Sequence, residues 1–211
     1  MKLTLSRLRI FLYCFLVWFV GLIILRLNFS KGVLELSWNQ EHNSAFDFFF
    51  FYFTWVGSGL VYGVFVLSMI LFGKKKFYTA LLASIICLLI SLIMKNIFFA
   101  GEQRPLTFFG DTVPVYVPEG VPLLLYGSFP SGHTMSAFSM FTLAAFFFEG
   151  RGKQIIFFIA AVLVGVSRVY LMAHFIEDVI IGSLLGFVIS VLSFNAMEVF
   201  FPKNHLPQNK F

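Results

Sequence analysis

The sequence has few charged residues, and this scarcity limits the class of protein that it can encode. Asp, Glu, Lys and Arg make up 12% of the 211 residues, whereas a soluble globular domain carries about 25%. Hydrophobic residues reach 59%, and the mean hydropathy is +0.91. Such a small number of polar side chains is not enough to cover the surface of a soluble domain. We therefore expect a chain that is solvated by lipid.

Cysteines, repeats and low-complexity linkers are equally sparse. The two cysteines, Cys14 and Cys87, both fall within apolar stretches, which excludes a disulfide scaffold and a cysteine-based metal site. The basic start of the chain precedes an apolar segment, but no small-residue cleavage site follows Leu25, so we expect a retained anchor and not a signal peptide. The sequence therefore predicts a single membrane domain over residues 1–211.

Apolar stretches of about the length that crosses a bilayer recur along the chain. They predict an all-α fold, an integral membrane bundle of six transmembrane helices. The two shortest stretches are marginal for a crossing by length alone. The six predicted spans are Ile10 to Leu25, Phe48 to Leu71, Phe77 to Phe98, Thr134 to Phe148, Ile155 to Leu171 and Val179 to Phe201.

The distribution of Lys and Arg predicts the orientation, because short basic loops are held on the cytoplasmic side. With both termini cytoplasmic, ten of the fifteen basic residues lie on that side. They are Lys2, Arg7, Arg9, Lys74, Lys75, Lys76, Arg151, Lys153, Lys203 and Lys210. The net charge of +5 therefore indicates topology and not a nucleic-acid partner. The run Lys74 to Lys76 is interpreted in the same way, with recognition of anionic lipid head groups as the alternative.

The remaining ionisable residues gather in three clusters, all predicted at the outer side. Ionisable groups at membrane depth are costly and commonly mark function. The first cluster holds Lys95, Arg104 and Pro105. The second is Pro130 to His133, and the third comprises Ser167, Arg168, His174 and Asp178. A shared site is the simplest reason for independent helices to place such residues at one face.

This combination of residues suits a phosphate group. Ser131 can cap the helix that follows it, and the free N–H groups at that terminus, next to Gly132, favour an anion. Lys95, Arg104 and Arg168 add positive charge, and each guanidinium can bind two oxygens at once. The sequence therefore predicts a pocket that neutralises a phosphoryl group.

Two histidines supply the chemistry. His174 and Asp178 are four residues apart, so on a helix they share a face, and the carboxylate can hold one ring nitrogen while the other acts as nucleophile. His133 could protonate the departing oxygen as a general acid. A metal site is the alternative, but three neighbouring cations would repel a divalent ion, and we expect no metal and no cofactor.

The three clusters resemble the signature of the type 2 phosphatidic acid phosphatase family, the lipid phosphate phosphatases. That signature is Lys, six residues, Arg-Pro; then Pro-Ser-Gly-His; then Ser-Arg, five residues, His, three residues, Asp. The second and third motifs are complete, but eight residues separate Lys95 from Arg104. The resemblance covers the chain from the third predicted span to its end. Either the extra residues bulge out at Gly101, or Lys95 contacts the phosphate from a shifted angle.

The resemblance implies a phosphatase with a phosphohistidine intermediate. His174 would attack phosphorus, Asp178 would hold and polarise it, and His133 would act as acid and then help to activate water. The phosphate oxygens would be bound by Lys95, Arg104, Ser131, Gly132 and Arg168.

Other functions stay open beside this one. A phosphotransferase would use the same pocket. A transporter would more often show interrupted helices and paired repeats, and the vanadium haloperoxidases that share the signature are soluble. The expected partners are a phosphorylated lipid substrate and membrane lipids, with no nucleic acid and no obligatory protein partner. Undecaprenyl diphosphate, phosphatidylglycerol phosphate, phosphatidic acid and lipid A phosphate all suit a site facing the periplasm of a bacterial inner membrane. The long connection at 101–129 is the candidate for substrate selection.

Overall fold

A computed structural model describes residues 6–110 and 113–202 of the chain. This part contains no β-strand, and only one isolated bridge joins Gln103 and Tyr126. The α-helices are α1 (Arg9–Asn28), α2 (Val33–Gln40), α3 (Ser44–Phe53), α4 (Gly59–Ser68), α5 (Lys74–Ile93), α6 (Pro105–Phe109), α7 (Gly132–Phe147), α8 (Arg151–Tyr170) and α9 (Ile176–Phe200). The predicted all-α class is confirmed for the described residues.

Four helices are long and apolar enough to cross a membrane, and a bent pair makes a fifth. The four are α1, α5 with the turn that extends it, α8 and α9; the pair runs from Ser44 to Phe72. Helix α7 has 16 residues, or about 24 Å at 1.5 Å per residue, which is short of the roughly 30 Å hydrocarbon layer. The count of six crossings therefore stays a prediction, as does the cytoplasmic placement of the termini.

The second predicted span is not the continuous helix that we expected between Phe48 and Leu71. A 3-10 turn over Thr54–Gly57 follows α3, and the chain bends by 53° before α4 begins. Ser58 is extended, and its hydroxyl caps α4 by accepting from the N–H of Val61 at 3.2 Å. The break lets Gly57 pack against α7, since a Cβ on this residue would lie 2.7 Å from the carbonyl oxygen of His133.

The third predicted span ends in a wider turn. Helix α5 continues into a π-helical turn over Met94–Phe98, in which the N–H of Phe99 donates to the carbonyl of Met94 at 2.7 Å. Such turns accommodate an extra residue and frequently lie at functional sites. This turn contains Lys95. The other predicted spans match helices within four residues at each end.

Helix α7 is the centre of the bundle and packs most extensively against α9 and then α8. Two glycines on α9 allow this approach. A Cβ on Gly186 would lie 2.3 Å from the carbonyl oxygen of Met135, and one on Gly182 would lie 2.7 Å from that of Ser131. Small residues spaced by four are a common means of bringing membrane helices together. The contact holds the beginning of α7 against the beginning of α9.

Hydroxyl groups join three helices in the interior. The Tyr62 hydroxyl on α4 lies 2.7 Å from Ser139 Oγ on α7, which lies 2.8 Å from Ser190 Oγ on α9. All three residues are buried. Because hydrocarbon offers no alternative partner for a hydroxyl group, such bonds favour one packing of the helices.

Candidate active site

The three polar clusters meet at one end of the bundle. Lys95 lies in the π turn that extends α5, the second cluster begins α7, and the third joins the end of α8 to the start of α9. The backbone N–H of Ser131 donates to the carbonyl of Asp178 at 3.1 Å. Arg104 Nη1 lies 3.5 Å from His174 Nε2. All eight predicted site residues are therefore gathered in one region, although what each does there stays a prediction.

His174 is held by a carboxylate, but the two residues do not share a helix as we expected. The helix α9 begins at Ile176, so His174 lies in the turn before it. Asp178 is in the first helical turn, and its Oδ2 folds back to accept the N–H of Phe175 at 2.9 Å and to lie 3.3 Å from His174 Nδ1. A proton on Nδ1 facing Asp178 leaves the lone pair of Nε2 available.

Ser128 also contacts this pair and was not predicted from the sequence. Its hydroxyl donates to Asp178 Oδ2, and its Oγ lies 3.5 Å from His174 Nδ1. The side chain is buried. A serine two residues before Pro130 carries no signal of its own, because the contact arises only when the connection 101–129 folds back onto the start of α9.

The guanidinium of Arg104 is fixed by backbone carbonyls. It donates from Nε to Tyr126, from Nη1 to Ala173 and from Nη2 to Gly127, at 3.0, 2.9 and 3.2 Å. The side chain is therefore oriented without a carboxylate partner. Among residues 6–110 and 113–202 no carboxylate forms an ion pair with this guanidinium, which lies beside His174 Nε2; the nearby Asp178 offsets part of its charge.

Arg168 is positioned from the broken second span. Its Nη1 donates to Thr54 Oγ1 at 2.6 Å. Its Nε is buried and finds no acceptor in residues 6–110 and 113–202, so one N–H of this guanidinium is unpaired there. The carbonyl oxygen of Arg168 accepts the N–H groups of Ala173 and His174, at 3.0 and 3.1 Å. The same residue thus shapes the turn that carries His174.

The start of α7 has the predicted cap. Ser131 Oγ accepts the N–H of Thr134 at 3.4 Å, while the N–H groups of Gly132 and His133 lack intrahelical partners by helix geometry. Lys95 reaches this terminus, since its Nζ lies 3.9 Å from the position that a Cβ on Gly132 would occupy. The helix widens at the π turn that contains Lys95, and a bulge of the extra residues at Gly101 stays a prediction.

His133 lies on a cavity that opens into the bundle. The cavity has a volume of about 540 Å³ and is lined at one end by Lys95, Gly132 and His133. It continues past Tyr62 and Cys87 between α4 and α5. His133 is within electrostatic range of His174 and of the three cations. Both imidazoles therefore lie at the same end of the bundle.

Burial and positive charge act together on His174. Its imidazole is 2% exposed, and burial, followed by the charges of Arg104, Arg168 and Lys95, lowers its pKa well below the usual value. The imidazole is therefore neutral at pH 7, as a nitrogen nucleophile must be.

Residues outside the predicted site hold the turn that carries His174, and the connection near it, in place. Glu35 on α2 is buried, and its carboxylate accepts the N–H of Ile176 at 2.8 Å. Glu177, in the first turn of α9, pairs with Arg26 and Lys31 at 3.2 and 3.4 Å. The connection 101–129 is tied to α2 by reciprocal bonds between the side chain of Asn39 and the backbone of Tyr116, at 2.6 and 2.8 Å.

The described residues contain no group of three or more His, Cys, Asp or Glu side chains that could hold a metal ion. The cations around His174 and Asp178 also disfavour a divalent ion. The absence of a metal from the reaction stays a prediction.

Comparison with known proteins agrees with the motifs. Phosphatidylglycerophosphatase B of Bacillus subtilis (strain 168) is 41% identical over 86 residues, which cover 36% of this chain and 42% of that protein. The crystal structure of Aquifex aeolicus LpxE is similar with a TM-score of 0.68 and 29% identity, over 77% of this chain and 93% of the other. A transmembrane PAP2-type phosphatidylglycerolphosphate phosphatase from Bacillus subtilis shares the fold, with a TM-score of 0.60 and 22% identity over 95% and 99% of the two chains.

These similarities and the apolar helices make the chain an integral membrane protein. Residues 76–201, more than half of the chain, match the PAP2 superfamily. They contain all three polar clusters, from Lys95 to Asp178. The chain belongs to the PAP2 superfamily.

Proposed function

We propose that this protein is a membrane lipid phosphatase that hydrolyses a lipid phosphate ester or diphosphate through a phosphohistidine on His174. The observation that carries the proposal is the placement of the His174 imidazole, with Nδ1 3.3 Å from Asp178 and Nε2 3.5 Å from the guanidinium of Arg104. One ring nitrogen is thereby held by a carboxylate, and the other faces a cation that can bind the phosphate to be attacked. The phosphatases among the similar proteins support the same activity.

In the first step, the lone pair of His174 Nε2 forms a bond to phosphorus, and the bond from phosphorus to the lipid oxygen breaks. For this step His133 must be in its imidazolium form, which the negative charge of the bound phosphate favours. It gives one proton to the departing oxygen and is left neutral. Asp178 stabilises the positive charge that develops on the attacking imidazole, as the aspartate of a catalytic triad stabilises its imidazolium. Lys95, Arg104 and Arg168 bind the equatorial oxygens, whose charge must be stabilised throughout phosphoryl transfer.

In the second step, a water molecule gives a proton to the neutral His133, its oxygen forms a bond to phosphorus, and the bond from phosphorus to His174 Nε2 breaks. Inorganic phosphate leaves, and both histidines return to their initial protonation states. The N–H groups of Gly132 and His133, at the positive end of α7, stabilise the same oxygens. Ser131 keeps this terminus in place through its cap on Thr134.

Phosphatidylglycerol phosphate is the first substrate to test, because the curated relative is a phosphatidylglycerophosphatase. We further propose that the site faces the periplasm of a bacterial inner membrane. The basic residues at the opposite end of the bundle, among them Lys74 to Lys76 and Arg151, support this orientation through the positive-inside rule. Lys2, Lys203 and Lys210, which we assigned to the same side, lie outside the described residues.

The proposal is tested by measuring phosphate release from phosphatidylglycerol phosphate, undecaprenyl diphosphate, phosphatidic acid and lipid A phosphate. We expect at least one of these substrates to be hydrolysed at an undiminished rate in excess chelator, and we expect no activity in His174→Ala. Loss of activity in chelator alone would favour a metal-dependent reaction, and full activity in His174→Ala would exclude the proposed nucleophile.

A further inference from the structure

A second cluster of positive charge lies at the end of the bundle opposite to the candidate active site. It lines a cavity of about 400 Å³ between the start of α5 and the ends of α7 and α9. The basic side chains in its wall are Arg7, Lys75 and Lys76. Twenty residues of helix separate Lys75 from Lys95, or about 30 Å. The cavity is therefore remote from the site already described.

Part of this charge is neutralised within the protein. Arg7 pairs with Glu149 at 2.7 Å, and Lys75 pairs with Glu198 at 2.9 Å. Lys75 Nζ also donates to the carbonyl of Phe201 at 3.0 Å, which caps the end of α9. Helix capping and ion pairing therefore account for these two cations.

Lys76 differs from them. Its Nζ donates to the carbonyl of Phe147 at 3.3 Å and lies 5.2 to 5.8 Å from the centres of three phenylalanine rings. No carboxylate lies within ion-pair distance of it in the described part of the chain. Because an ammonium group has three donors, Lys76 retains two of them and one uncompensated positive charge in the wall of the cavity.

An apolar groove adjoins this cavity. It runs between α5 and α9, has a volume of about 570 Å³, and is lined by Tyr78, Leu82, Ile85 and Met197 among others. Phe201 lines both the cavity and the groove. Ile85 lies ten residues beyond Lys75, so the groove reaches about 15 Å along the helix, or half of the hydrocarbon layer.

We propose that this end of the protein binds one anionic phospholipid, with its singly charged phosphodiester beside Lys76 and an acyl chain in the groove. Basic pockets between membrane helices are known to bind anionic head groups. The single uncompensated charge matches a phosphodiester without a cationic head group, such as that of phosphatidylglycerol. Phosphatidylcholine has no net charge and would gain less from Lys76. The lipid links α5, α7 and α9 at the end where the segment containing Arg7 joins them.

The test is native mass spectrometry of the full-length protein, titrated with either phosphatidylglycerol or phosphatidylcholine. We expect one phosphatidylglycerol to bind more tightly than phosphatidylcholine. Lys76→Gln should weaken that binding about fivefold, the effect of removing one basic residue near the surface. Lys76→Arg keeps the charge and should bind like the unmodified protein. Lys75→Gln leaves the carboxylate of Glu198 without its partner in the wall of the same cavity, so it should also weaken binding, and it is the second variant in case Lys76→Gln does not fold.

Two controls separate this site from other sources of binding. Lys153→Gln removes the same charge from the same end of the bundle, but its side chain does not line the cavity, and binding should not change. Lys95→Gln reports on lipid held at the candidate active site. The proposal is overturned by equal losses in Lys76→Gln and Lys153→Gln, by a loss in Lys95→Gln alone, or by equal affinity for the two lipids. Equal affinity is also the result expected if residues of the chain itself fill the cavity and exclude a lipid.

Discussion

Removal of the Ser128 hydroxyl tests whether the geometry around Asp178 limits the reaction. In Ser128→Ala, Asp178 Oδ2 loses one donor but keeps the N–H of Phe175 at 2.9 Å and the nearby Nδ1 of His174 at 3.3 Å. A hydrogen bond to a charged group contributes about 1.5–3 kcal/mol. If this energy serves to hold His174 for attack, kcat falls about tenfold to a hundredfold, since 1.36 kcal/mol is a factor of ten.

The assay is the initial rate of phosphate release at several substrate concentrations. KM should change little, because Ser128 contacts the His174 and Asp178 pair and is not among the proposed phosphate ligands. Ser128→Thr retains a hydroxyl and should recover part of the rate. Ser183→Ala is the matched control. This serine is also buried and lies on α9, as Asp178 does, but its hydroxyl donates to the carbonyl of Ile180 within that helix. An unchanged kcat in Ser128→Ala, or an equal fall in Ser183→Ala, would refute the reasoning.

Two further predictions concern stability. Gly186→Ala should lower Tm, because the new Cβ would lie 2.3 Å from the carbonyl oxygen of Met135 and overpacking costs about 1–3 kcal/mol. Gly152→Ala, at a position with open space around it, is the control. Equal Tm values for the two variants would contradict the prediction. Burial and the neighbouring cations lower the pKa of His174 in the folded state, so unfolded chains take up the proton first as the pH falls below the ordinary value of about 6.5. Stability is therefore greatest above that pH, and Tm should fall as the pH is lowered from 7.5 to 5. The fall should be less steep in His174→Gln than in the unmodified protein. Identical slopes of Tm against pH in the two proteins would argue against this role of His174.

The sequence motifs predicted which residues meet, because each cluster lies at a helix end and helix length alone brings those ends to one membrane face. His133, His174 and the three cations could be assigned to one pocket on that basis. The cap of Ser131 on Thr134 was also predictable, since capping depends on local geometry. These features need no knowledge of how the helices cross.

The features that were missed depend on contacts between distant segments. The bend at Ser58 has a local signal, since Gly57, Ser58 and Gly59 form a combination that kinks helices, but the close approach of Gly57 to the backbone of His133 has no signal in the apolar stretch. The same bend brings Thr54 to Arg168. Ser128 and Glu35 contact the segment from His174 to Asp178 only through folded connections, so neither has a periodic or motif signal. His174 was assigned to a helix because its spacing to Asp178 fits one, whereas Asp178 uses its carboxylate to begin the helix after His174.

The central claim is that the phosphoryl group is transferred to Nε2 of His174. The most direct measurement is a rapid quench of the protein with a lipid substrate labelled in the phosphate, followed by peptide mass spectrometry under alkaline conditions, which preserve phosphohistidine. The account predicts label on Nε2 of His174 in the unmodified protein and none in His174→Ala. Label on another residue, or turnover in His174→Ala at the rate of the unmodified protein, would contradict it.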